Sequence, residues 1–227
     1  MAGHDDARLC PPIPEIMKNH TPVIESAPDR PVTVHHQLRQ ATHAAHVRLN
    51  LHPLLAGLTR ADFPLSNYRL ILATYHRFFR VVEPAILDGL AANASEFSYA
   101  DRQKLSWLAE DIAALGGALP PPQTRRVIAV PGDAAERIGM LYAIEGSTLG
   151  GQVISRHLKA NLGLSPERGA RFFFAYGADT ENRWASFCAY AEGLSGDPVQ
   201  CRRAGEAALN VFNILEALLD DGLHQPS

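Results

Sequence analysis

The stretch "LRQATHAAHVRLN", residues 38–50, carries His43 and His46 three apart, with Arg39 seven positions before His46. A neutral imidazole is the commonest metal ligand among side chains and can also move protons near neutral pH. With Leu38 at 0° on a helical wheel and about 100° per residue, Leu49, Thr42, Ala45 and Ala41 fall within about 60° of it and form a buried stripe. His46, at about 80°, and Arg39, at about 100°, stand on the shoulder of that stripe, while His43 and His36, at about 140° and 160°, look outward. Two turns, about 10.5 Å of rise, separate His46 from Arg39. That pairing suits a flat ligand with a metal at its centre and an acid at its edge. The same position also suits a hydrogen-bonded packing histidine. Asn50, one turn beyond His46, either orients the imidazole or is a solvent-facing amide.

A second stretch, "ERIGMLYAIEGSTLGGQVISRHL", residues 136–158, has a helical pattern interrupted by Gly139, Gly146, Gly150 and Gly151. Each glycine costs about 1 kcal/mol relative to alanine inside a helix, so something requires bare backbone there. Gly146 and Gly150, four apart, share one stripe that admits either a neighbouring helix or a planar ligand. Ser147 and Thr148 add small hydroxyls that can hold ordered water without supplying a strong acid. Glu145, in an apolar setting, is expected to make a structural hydrogen bond. The aromatic residues Tyr75, Phe78, Phe79, Phe172, Phe173 and Phe174 are read as core before ligand wall.

These stretches need a scaffold, and the chain has the length for one domain of 227 residues. A net charge of −3 and 46% hydrophobic residues describe an ordinary globular protein, with no electrostatic case for nucleic acid or an anionic membrane. Cys10, Cys188 and Cys201 have no zinc-like or disulfide-framework spacing, and no signal peptide or membrane-length apolar run is visible. A cytoplasmic protein is expected. Residues 1–31 hold six prolines and read as a flexible or surface-lying extension, followed by a helical domain over 32–224.

Helical patterns are expected at 33–51, stopped before Pro53, and from Ser66 through a segment that Pro84 should kink or split. A further piece, "SYADRQKLSWLAEDIAALGG", ends at Gly116–Gly117, as helices often do. Asp133 opens about 30 residues of helix ending near "NLGLSP"; two more follow, at about 180–193 and from Asp197, with Pro198 in its first turn, to about Leu223. Strand-like alternation is almost absent, so the fold class is all-α, without repeats.

Together, "LRQATHAAHVRL" resembles the proximal helix of heme oxygenases, particularly the bacterial biliverdin-producing type found beside bacteriophytochromes, and "YAIEGSTLGGQVI" resembles their glycine-rich, kinked distal helix. The resemblance spans about residues 34–222. It implies heme b sandwiched between the two helices as both substrate and cofactor, with His46 as axial iron ligand. Arg39 and Arg156 would stand near the propionates, and Thr42, Tyr142 and Thr148 would be further heme contacts; His43 has no role. Gly146, Ser147, Gly150 and Gly151 would form the distal catalytic wall. The implied reaction uses dioxygen and an external electron donor, such as ferredoxin or a reductase, to open the ring to biliverdin, carbon monoxide and ferrous iron. A bacteriophytochrome would be a possible biliverdin acceptor.

Two departures from the family pattern stand out. Animal members carry a distal aspartate where this chain has Ser147, so proton delivery must use backbone, hydroxyls or a carboxylate from elsewhere. Their last-but-one helix offers a propionate arginine that "FCAYAEGL" lacks; Arg202 and Arg203 are either substitutes for it or solvated surface residues. Arg39, on the face of His46, resembles the arrangement associated with α-meso cleavage. Rival readings are a di-iron oxygenase, for which Asp221 and His224 are a lone near-match, and a heme carrier without turnover.

Overall fold

The computed structural model describes residues 33–92, 97–122 and 126–224; the proposed extension over 1–31 lies outside them. Among the described residues seven α-helices follow one another: α1 (Val34–Leu51), α2 (Leu65–Ala92), α3 (Leu105–Ala114), α4 (Ala134–Leu162), α5 (Arg171–Phe174), α6 (Thr180–Ala191) and α7 (Pro198–Leu223). No strand occurs among the described residues.

Local chemistry explains most boundaries. Thr33 caps α1 by accepting from His36 N at 3.2 Å, and Asp133 caps α4 by accepting from Glu136 N at 3.0 Å. The Glu136 carboxylate reaches back to Gly132 N at 2.8 Å, completing a reciprocal cap. Asp197 accepts from Val199 N and Gln200 N at 2.9 and 3.1 Å, ahead of Pro198. Beyond α3, Gly116 takes φ 72°, and Gly117 N closes onto Ile112 O at 2.9 Å.

Three boundaries depart from the expectation. Pro84 does not split α2, which runs through it; the proline is exposed, so water can meet the Arg80 carbonyl left without its amide. The piece expected from Ser98 begins as a 3-10 turn at Ala100–Arg102, and α3 starts only at Leu105. There the buried Glu83 carboxylate, from α2, accepts from Lys104 N and from Leu105 N at 3.1 Å, a cap visible only in three dimensions. The four-residue α5 is likewise made by Asp111 of α3, which accepts from Arg171 N and Phe172 N at 2.7 and 2.8 Å. Burial pushes the Asp111 carboxyl up to about 6 in spite of those two bonds.

Helix α7 packs against α1, α2 and α4, so it is the post on which the two candidate helices are mounted. The core between them includes Leu38, Ile71, Leu72, Leu141, Ala204 and Leu219, all fully buried. Small residues on α7 bring its neighbours close. A methyl group on Gly139 of α4 would lie 2.0 Å from Ala204 O, and one on Gly205 would lie 2.9 Å from Ala41 Cβ. Ala41, expected within the buried stripe of α1, is exposed at the rim of that contact, because Gly205 has no side chain to cover it. The expected aromatic cluster is core: the Phe79 and Phe172 rings stand 5.6 Å apart and those of Tyr75 and Phe172 4.9 Å apart. Phe174 is its exposed member.

Gly139→Ala is expected to lower stability by about 1–3 kcal/mol or more, since backbone must move to admit the methyl group. Urea unfolding of the purified variant measures it.

Candidate functional site

Apart from the exposed Ala41, the wheel of α1 holds in the structure: Leu38, Thr42, Ala45 and Leu49 are buried, His46 is half-buried, and Arg39, His43 and His36 are exposed. Thr42 turns its hydroxyl back to Leu38 O at 2.8 Å. The His46 imidazole meets the Phe212 ring of α7 edge-on, with centroids 6.2 Å apart. Its Nδ1 lies 3.2 Å from the Asn50 carboxamide, and its Nε2 has no hydrogen-bond partner among the described residues. Burial, then the neighbouring His43, lowers the pKa of His46, which keeps the ring neutral at physiological pH, the form that binds a metal. Arg48, two residues on, fastens α1 to α7 through Glu216 at 2.9 Å.

His35, at about 60° on the same wheel, shares the His46 shoulder. It is buried, with its ring 6.2 Å from Tyr142 of α4 and 5.7 Å from Trp184 of α6. The shoulder that carries His46 therefore faces α4 at its N-terminal end. Along α4, Gly146 and Gly150 follow Tyr142 by four and eight residues, about 6 and 12 Å; along α1, His46 follows His35 by eleven, about 16.5 Å. Tyr142, one of the expected heme contacts, sits in this aromatic contact, 4% exposed.

The glycines of α4 divide by what they touch. Gly139 is explained by Ala204, and Gly151 by Phe173, whose carbonyl oxygen would lie 2.8 Å from an added methyl group. Gly150 is exposed, and nothing lies within 4 Å of where its side chain would be. Packing thus accounts for Gly139 and Gly151 but not for Gly150, and Gly146 is buried.

The hydroxyls beside them are committed to the helix itself. Ser147 Oγ donates to Ile144 O at 2.7 Å and Thr148 Oγ1 to Glu145 O at 2.6 Å, a back-bonding pattern that bends helices. Ser147 is exposed and Thr148 buried. The Glu145 carboxylate, 1% exposed, is drawn to the far side by Arg102 Nη1 at 2.7 Å and Lys104 Nζ at 2.8 Å, with Tyr176 OH at 3.0 Å, the structural role expected for it. The neighbourhood of Gly150 therefore holds bare backbone and hydroxyl lone pairs, with the nearest carboxylate in sequence neutralised behind it.

Residues expected near an acidic ligand edge are spread out. Arg39 and Arg156 are both exposed; Arg156 falls about 80° from Gly146 on an ideal wheel. Arg203 is occupied by Asp133 and by Glu136 at 3.0 Å, so it bolts α7 to the start of α4. Arg202 is exposed. At the chain end, Asp221 pairs with Arg126 at 2.9 Å and His224 with Asp220 O at 2.7 Å. Among the described residues no group of three or more His, Cys, Asp or Glu is arranged to hold a metal ion, and no helix is long and apolar enough to cross a membrane.

The sequence profile of the heme oxygenase family matches residues 32–221. The chain belongs to the heme oxygenase family. A heme oxygenase from Xanthomonas campestris pathovar campestris is 32% identical over 145 residues, 61% of this chain and 80% of the relative. The fold matches heme oxygenases of Neisseria meningitidis, with TM-score 0.69 at 20% identity over 86% of this chain and 94% of that one, and Leptospira interrogans, with 0.65 at 13% over 83% and 99%. A third, the Synechocystis heme oxygenase-1 solved in complex with heme, gives 0.62 at 15% over 84% and 92%. This heme oxygenase is an enzyme that opens heme to biliverdin, carbon monoxide and ferrous iron.

Reading the sequence missed His35, Phe212, Trp184, Arg102, Lys104 and Tyr176 as neighbours of the two helices. His35 was accessible from the wheel, at about 60° beside Thr42. The others sit on elements whose approach no local pattern encodes.

Alanine at positions 150 and 151 separates the two kinds of glycine. Gly150→Ala should leave the heme-free protein as stable or up to about 1 kcal/mol more stable, through helix propensity alone. Gly151→Ala should destabilise it by about 1–3 kcal/mol through collision with Phe173 O. Thermal unfolding of the two variants side by side measures the contrast.

Proposed function

We propose that His46 is the proximal ligand of heme iron and that Gly146 and Gly150 line the opposite face of the ring. The observation that carries this reading is the pairing of an imidazole, with no Nε2 partner among the described residues, with a bare stretch of α4 that has open space at Gly150. A porphyrin supplies iron with four ligands and needs only one imidazole from the protein, which suits a site where, among the described residues, no cluster of His, Cys, Asp or Glu is arranged to hold a metal. Bound heme supplies both the iron at which dioxygen is reduced and the meso carbon that is oxidised.

The protein's own part is orientation and restraint. With iron held through Nε2 the proton would sit on Nδ1, and the Asn50 carboxamide, whose Nδ2 lies 3.2 Å from Nδ1, would turn over to accept through Oδ1 and fix the plane of the imidazole. Phe212 backs the same ring. On the far face, Ser147 and Thr148 already donate to their own helix, so their oxygens can accept from ordered water but are poor acids. Proton delivery then runs through water held by backbone and lone pairs, while Gly151 fixes the height of that wall through its packing. A wall without a strong acid would not promote the acid-assisted, peroxidase-type heterolysis that competes with oxidation of the ring.

Arg39, two turns before His46 on the same shoulder, is proposed to take a propionate, with Arg156 contributing from α4. Thr42, Tyr142 and Thr148 support the pocket from within the protein, since all three are buried. Seating through Arg39 favours biliverdin IXα. Electrons are proposed to come from ferredoxin or a reductase in the cytoplasm, and a bacteriophytochrome is a proposed recipient of the product.

Hemin titration tests the ligand. With one equivalent of hemin the native chain should give a sharp Soret band that bleaches to biliverdin absorption on adding oxygen and reductant. His46→Ala should shift that band and weaken binding at least about tenfold, roughly 1.4 kcal/mol. An unshifted band in the variant would place the iron elsewhere. Chromatography of the product tests the seating: the α isomer should predominate, and Arg39→Ala should raise the share of the other isomers, whereas a native β or δ product would reject it.

A further inference from the structure

The ridge of α4 from Gly146 to Gly150 is intrinsically soft: glycine lacks helix propensity, and the Ser147 and Thr148 hydroxyls compete for the carbonyls of Ile144 and Glu145. Its height over a bound ring must therefore come from outside the helix. One short link, residues 173–177, touches α4 immediately before and immediately after this ridge. Before it, Tyr176 OH lies 3.0 and 3.1 Å from the two carboxylate oxygens of Glu145. After it, Phe173 O closes on the bare face of Gly151, and Gln152 Nε2 donates to Gly177 O at 2.7 Å.

With Gly146 at 0° on the wheel of α4, Gly151, Gln152 and Glu145 fall at about 140°, 240° and 260°, whereas the exposed Gly150 and Ser147 fall at about 40° and 100°. The link thus holds the helix from behind. It is itself firmly held. Lys104 Nζ spends its three hydrogens on Arg102 O, Glu145 Oε1 and Tyr176 OH, at 2.9, 2.8 and 3.0 Å. Thr180 Oγ1 donates to Gly177 O at 2.8 Å, and Arg171 Nη1 donates to Ala175 O. Ala175 is kept at φ 49°, a left-handed conformation that alanine rarely adopts and that persists only where the surroundings impose it.

We propose that residues 173–177 form a bracket that sets the position of the distal ridge, with Tyr176 and Gln152 as its positioning residues. The consequence for catalysis rests on the reading that this ridge faces heme; the bracket itself does not. Tyr176→Phe keeps the ring beside Trp107 and removes only the hydroxyl, and Gln152→Ala removes the side chain whose amide reaches Gly177.

Hydrogen exchange read by mass spectrometry on the hemin-free protein tests the bracket directly. In the double variant, amides of residues 146–152 should exchange at least about tenfold faster, with α1 and α7 unchanged. On the hemin-loaded, reduced protein, the carbon monoxide stretching band should shift or split while the iron–histidine band stays in place. Unchanged exchange, or equal acceleration in every helix, overturns the proposal. Faster exchange confined to 146–152 with an unmoved carbon monoxide band upholds the bracket and removes the ridge from the ring, so the two readings fail separately. If Tyr176→Phe does not fold, Gln152→Ala alone is read by the same measurements.

Discussion

At Gly139 and Gly151, α4 meets the carbonyl oxygens of Ala204 and Phe173 so closely that even a methyl group would not fit. Backbone-to-backbone contact of this kind has no rotamers to relax, so it fixes distance more sharply than interdigitated side chains do. Through Gly139, α4 is registered against α7; through Gly205 and Ala41, α1 is registered against the same helix. The two helices that flank the candidate site are thus positioned from one shared post, and their relative placement is inherited from α7.

Buried charge supplies a second set of fixed points. Glu83, Asp111 and Glu145 each lie within the protein, and each is answered by donors from another element: the amides of Lys104 and Leu105, the amides of Arg171 and Phe172, and the side chains of Arg102 and Lys104. Such groups add little net stability after desolvation, but a misplaced partner leaves a buried charge unpaired and is strongly disfavoured. They therefore select one arrangement of α2, α3, α4 and the link after α5. The same arrangement keeps the Glu145 carboxylate paired with Arg102 and Lys104, away from Gly150.

Much of the fold was legible because its signals are local. Thr33, Asp133 and Asp197 are caps whose side chains bond amides two or three residues on, and the proline and glycine stops act within one turn. The shoulder position of His46 followed from helical geometry alone, whereas its contact with Asn50 was one of two open alternatives that the structure decided. Less was legible where distant groups decide: the late start of α3 depends on Glu83, the existence of α5 depends on Asp111, and the occupation of Arg203 depends on Asp133 and Glu136.

By itself the sequence determined which residues could bind a metal, on which face of a helix each stands, and that the chain is all-α, because periodicity, caps and glycine cost are properties of a single segment. Its resemblance to heme oxygenases named the chemistry. Tertiary structure alone decided which glycines of α4 are packed, since Gly150 and Gly151 are adjacent and alike in sequence yet one faces open space and the other a carbonyl. It also decided that His35 joins α1 to α4 and that Glu145 points away from the ridge. Those outcomes depend on which surfaces meet, and contact between distant segments is settled by packing and charge pairing across the whole domain.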